Sequence, residues 1–360
     1  MKIKFGDIVK DVKGNIDREN NPFEFYVAGD HLDSEDLTIR RRGRFSTDDV
    51  GPAFVRKFTA GQILYGSRRT YLKKVAVADF DGICANTTFV FESKDPSLFD
   101  QRLLPFLMLS DNFTKWSVSH SKGSTNPYIL FSDLAEFEFD LPSLAEQKKL
   151  ADKLWAAYRL KESYKKLLAS MDELAESRFI EMFGTVEKVP LEQLATIVMG
   201  QSPTSDSYNT EGLGVSFYQG SSEFTDKYVG DGMFCTAPTR MAKPGDVLMS
   251  VRAPVGAVNI TLKDCCIGRG LAAIRSKVSA EYNEFFLYAF RTMTNVLDSM
   301  GHGSTVLAIN KNDLHGLMMP NPSLSEQMSF VTFVQQLDKS KSELKKSIAA
   351  IDDVIKSLIN

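Results

Sequence analysis

Three side chains in the first half of the chain have the spacing of a metal-dependent nuclease site. Asp81, Glu92 and Lys94 fit the pattern D…ExK, in which two carboxylates hold Mg²⁺ and a lysine orients the attacking water. A chance match is the favoured interpretation, because Arg275 stands at the position of the second half that matches Glu92. The four histidines and the four cysteines show no spacing typical of a metal site. The sequence therefore predicts no metal site and no catalytic residues.

A second chemistry, binding of phosphate and of base edges, is available to two basic stretches. Residues 38–75 hold ten basic and two acidic side chains, and residues 240–277 hold seven basic and two acidic ones. Arginine predominates in the first stretch, and its planar fork suits both phosphate and guanine. A solvated charged surface is the alternative, and charge alone leaves it open. The net charge of −3 excludes only a surface that is basic throughout. The basic candidates for DNA binding are Arg40, Arg41, Arg42, Arg44, Arg68, Arg69, Lys73, Lys122, Arg240, Arg252 and Arg269.

Polar side chains in loops could complete such a surface. A Gly-Ser-Thr triplet occurs at 123–125 and again at 303–305, and its amides and hydroxyls could donate hydrogen bonds to phosphate. The alternative is a tight turn that needs glycine. Amide and hydroxyl side chains in loops of the second half have the chemistry to read base edges. The polar candidates for DNA binding are Ser124, Thr125, Gln201, Ser202, Gln219, Ser221, His302, Ser304 and Thr305.

The elements that position these residues occur twice, because the chain is internally repeated. The sequence Pro-Ser-Leu-x-Glu-Gln at 142–147 recurs at 322–327, with the same offset that relates the two Gly-Ser-Thr triplets. Upstream, Gly-[Gln/Asp]-[Ile/Val]-Leu-x-x-x-Arg at 61–68 recurs at 245–252. Identity between these anchors is sparse, which favours one scaffold with two specificities. Short apolar runs mixed with turn residues and a few helical patterns predict an α+β domain in each copy.

Each copy ends in the pattern of a long helix. Ser143 with Glu146, and Ser323 with Glu326, fit the capping box at a helix start. Apolar residues then recur every 3.5 positions for about 40 residues, or ~60 Å of helix. Burial of the two helices in separate cores is the alternative to an antiparallel coiled coil between them, which is favoured because the seam is narrow and lacks Gly and Pro. The predicted pairing residues are Leu150, Leu154, Tyr164, Leu168, Met171, Phe330, Val334, Leu337, Leu344, Ile348, Ile351 and Ile355.

Two lysines interrupt this seam at equivalent places. Lys161 and Lys341 each lie at the same distance from the Pro-Ser-Leu-x-Glu-Gln sequence of their own copy. A polar residue at a seam position can fix the register of a coiled coil at some cost in stability. Alternatively, the lysines lie just off the seam and extend their ammonium groups into water.

The repeated Pro-Ser-Leu-x-Glu-Gln helix start, the Gly-to-Arg frame and the paired Gly-Ser-Thr strongly resemble the DNA specificity subunit of type I restriction-modification systems. The resemblance spans the whole chain. It implies two target recognition domains, at 1–140 and 185–320, which each read one half of a split, asymmetric DNA sequence. It also implies two long spacer helices, at 141–184 and 321–360, which form an antiparallel coiled coil.

The resemblance implies partners as well. Two adenine methyltransferase subunits would bring S-adenosylmethionine, and restriction subunits would bring ATP and Mg²⁺ for translocation and cleavage. The chain itself would be a non-catalytic subunit that binds double-stranded DNA and holds no cofactor.

Three other functions remain as alternatives. These are the specificity subunit of a two-subunit enzyme that both cuts and methylates, a stand-alone nuclease, and a protein-binding scaffold that does not bind DNA. The chain shows no signal-peptide pattern and no apolar run long enough to span a membrane, and its cysteines are too few for a disulfide framework. We therefore expect a cytoplasmic protein with reduced thiols.

Overall fold

The structure is a computed structural model that describes residues 2–16, 21–301 and 308–360. Its contacts divide the chain into two compact units. Unit 1 holds residues 1–164 and 346–360, and unit 2 holds residues 165–345. Each unit therefore combines a globular domain with part of each of two long helices. None of the helices in the described part of the chain combines the length and apolar character that a membrane span requires.

The domain of unit 1 is built from short strands and helices. Its strands are β1 (Lys2–Lys4), β2 (Val9–Asp11), β3 (Phe25–Val27), β4 (Gly43–Arg44), β5 (Phe54–Phe58), β6 (Ile63–Gly66), β7 (Val75–Val77), β8 (Gly82–Ala85), β9 (Thr88–Ser93) and β10 (Glu138–Asp140). Its helices are α1 (Phe5–Ile8), α2 (Leu104–Leu109), α3 (Asp111–Ser119), α4 (Phe131–Ala135) and the long α5 (Leu144–Phe183), which continues into unit 2.

Two four-stranded sheets form the body of this domain. The first has the order β2-β9-β6-β7 and is antiparallel, and the second has the order β4-β3-β8-β5 with β3 and β8 parallel. Successive side chains of a strand point to opposite faces. Ile63 and Tyr65 of β6 accordingly lie in the core with α2 and α3, whereas Leu64 lies in a second core with residues of β3 and β8. Burial on both faces explains why this strand is a continuous apolar run.

Unit 2 repeats this plan. Its strands are β11 (Lys188–Pro190), β12 (Ala195–Met199), β13 (Tyr208–Asn209), β14 (Val215–Tyr218), β15 (Met233–Cys235), β16 (Met241–Ala242), β17 (Val247–Ser250), β18 (Val258–Ile260), β19 (Cys265–Ile267), β20 (Leu271–Ser276) and β21 (Met318–Pro320). Its helices are α6 (Leu191–Leu194), α7 (Asn283–Thr292), α8 (Thr294–Met300), α9 (Lys311–Gly316) and the long α10 (Leu324–Ile359), which continues into unit 1.

The sheets of unit 2 correspond to those of unit 1. One has the order β12-β20-β17-β18, and the other has the order β13-β15-β14-β19-β16 with β14 and β19 parallel. Val247 and Met249 of β17 face the core that contains α7, whereas Leu248 faces the core shared with the second sheet. The two units thus share strand order and alternation of burial, and unit 2 adds β13 at the edge of its second sheet.

The Pro-Ser-Leu-x-Glu-Gln sequence caps the start of both long helices. The Ser143 N–H donates to the Glu146 carboxylate at 2.9 Å, and the Glu146 N–H donates to the Ser143 hydroxyl at 3.4 Å. Ser323 and Glu326 form the same capping box at 2.9 and 3.3 Å. The fully buried Gln147 then donates to the carbonyl of Pro142 at 3.0 Å, which ties the helix to the chain that precedes it. The predicted capping boxes are confirmed.

The long helices pair antiparallel within each unit. In unit 1, Lys161 of α5 pairs with Asp352 of α10 at 2.5 Å, and Leu154, earlier in α5, lines a common pocket with Leu358 and Ile359 near the end of α10. In unit 2, Asp172 of α5 pairs with Lys341 of α10. Phe179 and Phe183, later in α5, contact Phe330 of α10 with ring centroids 5.3 and 5.7 Å apart.

The predicted seam residues lie at two levels of burial. Leu154, Phe330, Val334 and Ile355 are buried in the cores of the two domains, so both ends of the pairing region belong to domain cores as well. The other seam residues are half-buried, namely Leu150, Tyr164, Leu168, Met171, Leu337, Leu344, Ile348 and Ile351. The predicted fold class, repeated α+β domains with two long antiparallel helices, is confirmed.

The two lysines of the seam have reciprocal partners. Lys161 of α5 pairs with Asp352 of α10, and Lys341 of α10 pairs with Asp172 of α5. The two lysines occupy one position of the repeat and the two aspartates occupy another, so one copy supplies the lysine of each pair and the other copy supplies the aspartate. The ammonium groups therefore bind the opposite helix, which agrees with a role in fixing register and differs from extension into water.

Candidate nucleic-acid interface

In unit 1, one loop cluster brings five of the predicted DNA-binding residues together. Residues 122–128 form a hairpin in which the Lys122 N–H donates to the Tyr128 carbonyl at 2.7 Å and the Tyr128 N–H donates back at 2.9 Å. The chain that follows β6 joins this hairpin through its backbone. Arg68 forms a β-bridge with Tyr128, and the Arg69 N–H donates to the Pro127 carbonyl at 2.7 Å. The exposed members of this cluster are Arg68, Arg69, Lys122, Ser124 and Thr125.

The cations of this cluster differ in their partners. Lys122 forms an ion pair with Asp133 at 3.1 Å. Arg68 and Arg69 form no ion pair with any described residue. Gly123 has φ +86° at the hairpin turn, a conformation that favours glycine, so the turn interpretation of this triplet is also correct. Exposed arginines beside hydroxyl groups give this surface the chemistry for binding phosphate or base edges.

The arginines at 40–44 and Lys73 lie elsewhere in unit 1 and contact acidic or aromatic partners. Arg40 donates to Asp36 at 2.6 Å and to Glu162 of α5 at 2.5 Å. Burial lowers the pKa of Arg40, but the hydrogen bonds to these two carboxylates outweigh burial and raise it. Lys73, with only 17% of its side chain exposed, pairs with Glu35 and Asp111 at 3.2 and 3.1 Å. Arg40 and Lys73 thus both stabilise the packing of unit 1.

The remaining arginines of this group are exposed and also partnered. Arg41 pairs with Asp33 at 2.5 Å, and Arg44 pairs with Glu24. The Arg42 guanidinium lies 3.9 Å from the ring centroid of Phe25. A surface ion pair is worth less than about 1 kcal/mol, so DNA phosphate could compete for these side chains. Binding of DNA by these three arginines stays a prediction.

In unit 2, one cleft brings together five predicted residues that are far apart in sequence. The cleft has a volume of ≈ 230 Å³. The turn between β19 and β20 and the end of β17 form part of its wall, and the Arg269 N–H donates to the Ser202 hydroxyl at 3.2 Å. The predicted residues that line it are Ser202, Gln219, Ser221, Arg252 and Arg269.

Two other predicted residues flank this cleft without lining it. The Gln201 N–H donates to the Ile267 carbonyl at 3.0 Å, and the Ile267 N–H donates to the Arg240 carbonyl at 2.9 Å, so both residues border β19. The Arg240 side chain is exposed. His302, Ser304 and Thr305 lie outside the described residues, and their roles stay predictions.

The structure places further described residues at these two surfaces, which the sequence analysis did not identify. Ser250 and Ala253 also line the cleft, and Tyr71 and Tyr128 are exposed aromatic side chains near the unit 1 cluster. The position of Ser250 two residues before Arg252 is a signal that could have identified it, because the Gly-to-Arg frame already marked this segment. Exposure of the tyrosines depends on tertiary structure and leaves no such signal.

The family model for the type I restriction modification DNA specificity domain matches residues 6–170 and 184–351. The chain belongs to this family. Among curated members, the type I restriction enzyme MjaX specificity subunit of Methanocaldococcus jannaschii is 37% identical over 169 residues, which are 47% of this chain and 40% of that protein. The EcoDI specificity subunit of Escherichia coli is 28% identical over 182 residues, 49% of this chain and 39% of that protein. The matches thus span less than half the length of these relatives.

Solved structures also match over the whole chain. One, from a study of complex assembly and conformational transition of the type I R-M system, has a TM-score of 0.64 and 27% identity and covers 100% of this chain and 96% of that one. The type I S subunit of M. genitalium has a TM-score of 0.57 and 15% identity, covers 100% and 94%, and supports the fold alone.

The three residues of the nuclease pattern have separate partners in this specificity-family chain. Asp81 accepts a hydrogen bond from the Ala60 N–H at 2.8 Å, Glu92 pairs with Lys10 at 2.6 Å, and Lys94 donates to the Gly6 carbonyl. The ammonium of Lys10 and then the amide of Gln62 lower the pKa of Glu92. Within residues 2–16, 21–301 and 308–360, no group of three or more His, Cys, Asp and Glu side chains could hold a metal ion.

Proposed function

We propose that this chain is the DNA-recognition subunit of a type I restriction-modification complex and that each unit reads one half of a bipartite, asymmetric target. The observation that carries the proposal is the repeated position of Arg68 and Arg252. Each follows the equivalent strand, β6 or β17, each is exposed, and neither has an ion-pair partner among the described residues. Uncompensated arginines at the same place in two repeated domains suit two separate contacts with DNA.

The test measures DNA binding by the full chain together with the methyltransferase subunits of its own system. The affinity for duplex DNA should fall steeply as salt rises, and the double variant Arg68→Ala with Arg252→Ala should bind the target at least about tenfold more weakly. Arg102→Ala, which removes an exposed arginine that is paired with Asp100 and Asp152 and lies outside the predicted DNA-binding set, is the matched control. If the complex shows no salt-dependent binding of DNA, the chain is a protein scaffold and the proposal is wrong.

Methylome sequencing tests the bipartite target directly. Adenine methylation at a split, asymmetric motif should be present in the host and absent when this chain is deleted. A continuous motif, or a motif that survives the deletion, would contradict the proposed division of the target between two units.

We propose further that the long helices hold the methyltransferase subunits. Leu167 and Leu174 of α5 are 43% and 49% exposed, although both are large apolar side chains. Their spacing is two turns of helix, so they lie on one face. Two exposed apolar side chains on one helix face could contact the apolar surface of a protein partner.

Exchange of both leucines for serine should weaken association with the methyltransferase subunit, as measured by size-exclusion chromatography and calorimetry. Exchange of the exposed neighbour Glu173 for serine is the control. Equal association by all variants would place the methyltransferase subunit on another surface.

We propose finally that the chain is not an enzyme. Its methyltransferase partners would bring S-adenosylmethionine, and its restriction partners would bring ATP and Mg²⁺. The separate partners of Asp81, Glu92 and Lys94 support this division of labour. The purified chain with Mg²⁺ and plasmid should give no cleavage, and cleavage that Glu92→Ala abolishes would refute the proposal.

A further inference from the structure

The cleft of unit 2 is built on closely packed backbone. A tight turn, Gly268-Arg269-Gly270, joins β19 to β20, and its Gly268 N–H donates to the Tyr218 carbonyl at 2.8 Å. A Cβ atom at Gly270 would lie 2.4 Å from the carbonyl oxygen of Gln219, so only glycine permits this approach without a backbone shift. The turn and the Gln219 segment are therefore held together, which fixes the backbone that carries Arg269 and Gln219.

Arg252 and Arg269 bring two guanidinium groups, which only donate hydrogen bonds, to the cleft. Arg252 and Arg269 have no ion-pair partner, and the Gln219 amide has no hydrogen bond, among the described residues. In contrast, Arg275 in the same unit is paired with Asp246 at 2.6 Å. The described lining of the cleft contains no carboxylate. Such a site is complementary to a ligand that presents acceptors.

The four base-pair edges of the major groove differ in what they present to such a site. Guanine offers two acceptors, O6 and N7, whereas adenine offers one acceptor and one donor. Cytosine offers a donor, for which a carboxylate is the suitable partner, and thymine offers an acceptor beside a methyl group. The amide of Gln219 suits adenine, but the two arginine forks suit guanine and the described lining has no carboxylate for cytosine, so the cleft as a whole favours guanine.

Unit 1 lacks this arrangement at the equivalent place. Its β8 and β9 are joined by two residues, Asn86 and Thr87, instead of the three-residue turn with Arg269. The Ser67 N–H donates to the Thr87 carbonyl at 3.1 Å, just as the Val251 N–H donates to the Gly270 carbonyl at 2.9 Å, so the backbones correspond. The second arginine of the cleft is thus specific to unit 2.

We infer that the cleft of unit 2, through Arg252 and Arg269, reads a guanine in the DNA half-site that this unit recognises. The inference rests on the proposed function, because it requires that the chain bind DNA in a sequence-specific manner. It adds the base that one of the two units selects and the two side chains that select it.

The test determines base preference by selection from randomised duplexes, with the full chain and its methyltransferase subunits. Arg252→Lys and Arg269→Lys keep the charge and remove the fork, so each should reduce preference for one guanine in one half-site by about 10- to 100-fold while the salt dependence of binding is retained. Arg291→Lys, in α7 of the same unit and outside the DNA-binding candidates, should leave that guanine preference unchanged. Circular dichroism checks that the variants are folded.

Three outcomes would overturn the inference. If Arg252→Ala and Arg269→Ala weaken binding of all sequences equally and make the salt dependence shallower by about one ion each, the cleft binds backbone phosphate. If wild type selects a bipartite motif but the lysine variants change a base other than guanine, the cleft reads a different edge. In both cases the proposed function stands. If wild type selects no sequence at all, the proposed function fails and the inference fails with it.

Discussion

The reciprocal Lys–Asp pairs give a quantitative prediction for the stability of unit 1. Asp352→Asn removes the charge that pairs with Lys161, whose side chain is only 13% exposed. A hydrogen bond between charged groups contributes about 1.5–3 kcal/mol when one partner is lost from a buried site. Asp352 is 36% exposed, so water replaces part of this interaction, and we expect the free energy of unfolding to fall by about 1–2 kcal/mol.

Tryptophan fluorescence during urea unfolding reports this change through side chains of unit 1. The chain has two tryptophans, Trp116 and Trp155, and both lie in unit 1. Asp353→Asn is the matched control, because this neighbour is exposed and the same chemical change there should shift the free energy by less than about 0.5 kcal/mol. A second variant, Lys161→Met with Asp352→Leu, replaces the pair by apolar side chains and should restore most of the lost stability.

Two results would refute this reasoning. If Asp352→Asn is as mild as Asp353→Asn, the pair does not stabilise the helices. If the apolar double variant is as unstable as Asp352→Asn, the loss does not come from an unpaired ammonium group, because that group is absent from the double variant.

Three further predictions concern the cores and the cleft. Burial acts to raise the pKa of Asp36, but its hydrogen bonds outweigh burial and lower it, so its stabilising contribution should be lost as pH falls below about 4. Asp36→Asn should therefore lower the urea midpoint of unit 1 at pH 7 and flatten its decline in acid. All four cysteines are buried, and burial raises the pKa of Cys265 to about 11, so a thiol reagent at pH 8 should label none of them until urea unfolds the chain. Gly270→Ala should destabilise unit 2 by about 1–3 kcal/mol in urea unfolding followed by circular dichroism, because the added methyl group meets backbone, whereas Gly220→Ala meets no atom within 4 Å and should be neutral.

The elements that sequence predicts best are those fixed by local or periodic patterns. The capping box of Ser143 and Glu146 needs only residues three positions apart. The helix seam repeats every 3.5 residues over many turns, so a few ambiguous positions do not obscure it. The repeat adds a second, independent copy of each pattern. Helix starts, helix pairing and the α+β class were therefore all accessible before the structure.

The sequence does not predict which arginines have partners, because these contacts join residues that are distant in sequence. Arg41 and Arg68 are both exposed arginines in the same basic stretch, yet only Arg41 has a carboxylate partner among the described residues. The second partner of Arg40, Glu162, lies 122 residues away in α5. A charge count treats these three side chains alike, whereas the structure separates a packing contact, a surface ion pair and an uncompensated cation.

The aspartates that pair with the two seam lysines show a different limit of sequence-based prediction. Asp172 and Asp352 stand at equivalent positions of the two copies, as the lysines do, so the repeat did contain the signal. They lie off the apolar seam, and periodicity of apolar residues therefore passes over them. The pairs became evident only when antiparallel pairing set each lysine opposite the aspartate of the other repeat copy.

In each unit, the domain contacts the long helices beside an equivalent backbone hydrogen bond, but with different side chains. The Val77 N–H donates to the Leu37 carbonyl at 2.9 Å, and the equivalent Ile260 N–H donates to the Lys227 carbonyl at 2.9 Å. The side chains beside these equal backbone bonds differ. In unit 1, Tyr158 of α5 donates to Asp36 at 2.8 Å.

In unit 2, Lys227 pairs with Glu284 at 2.8 Å and with Asp338 of α10. Burial lowers the pKa of Lys227, but these two carboxylates outweigh burial and raise it. Asp338 stands at the position of the second copy that matches Tyr158 in the first, so equivalent helix positions hold their domains through a hydroxyl in one unit and a carboxylate in the other. The backbone pairing thus fixes the scaffold, and the side chains change without altering it. The same separation allows the loops after β6 and β17 to carry different side chains while the strands and helices that support them stay the same.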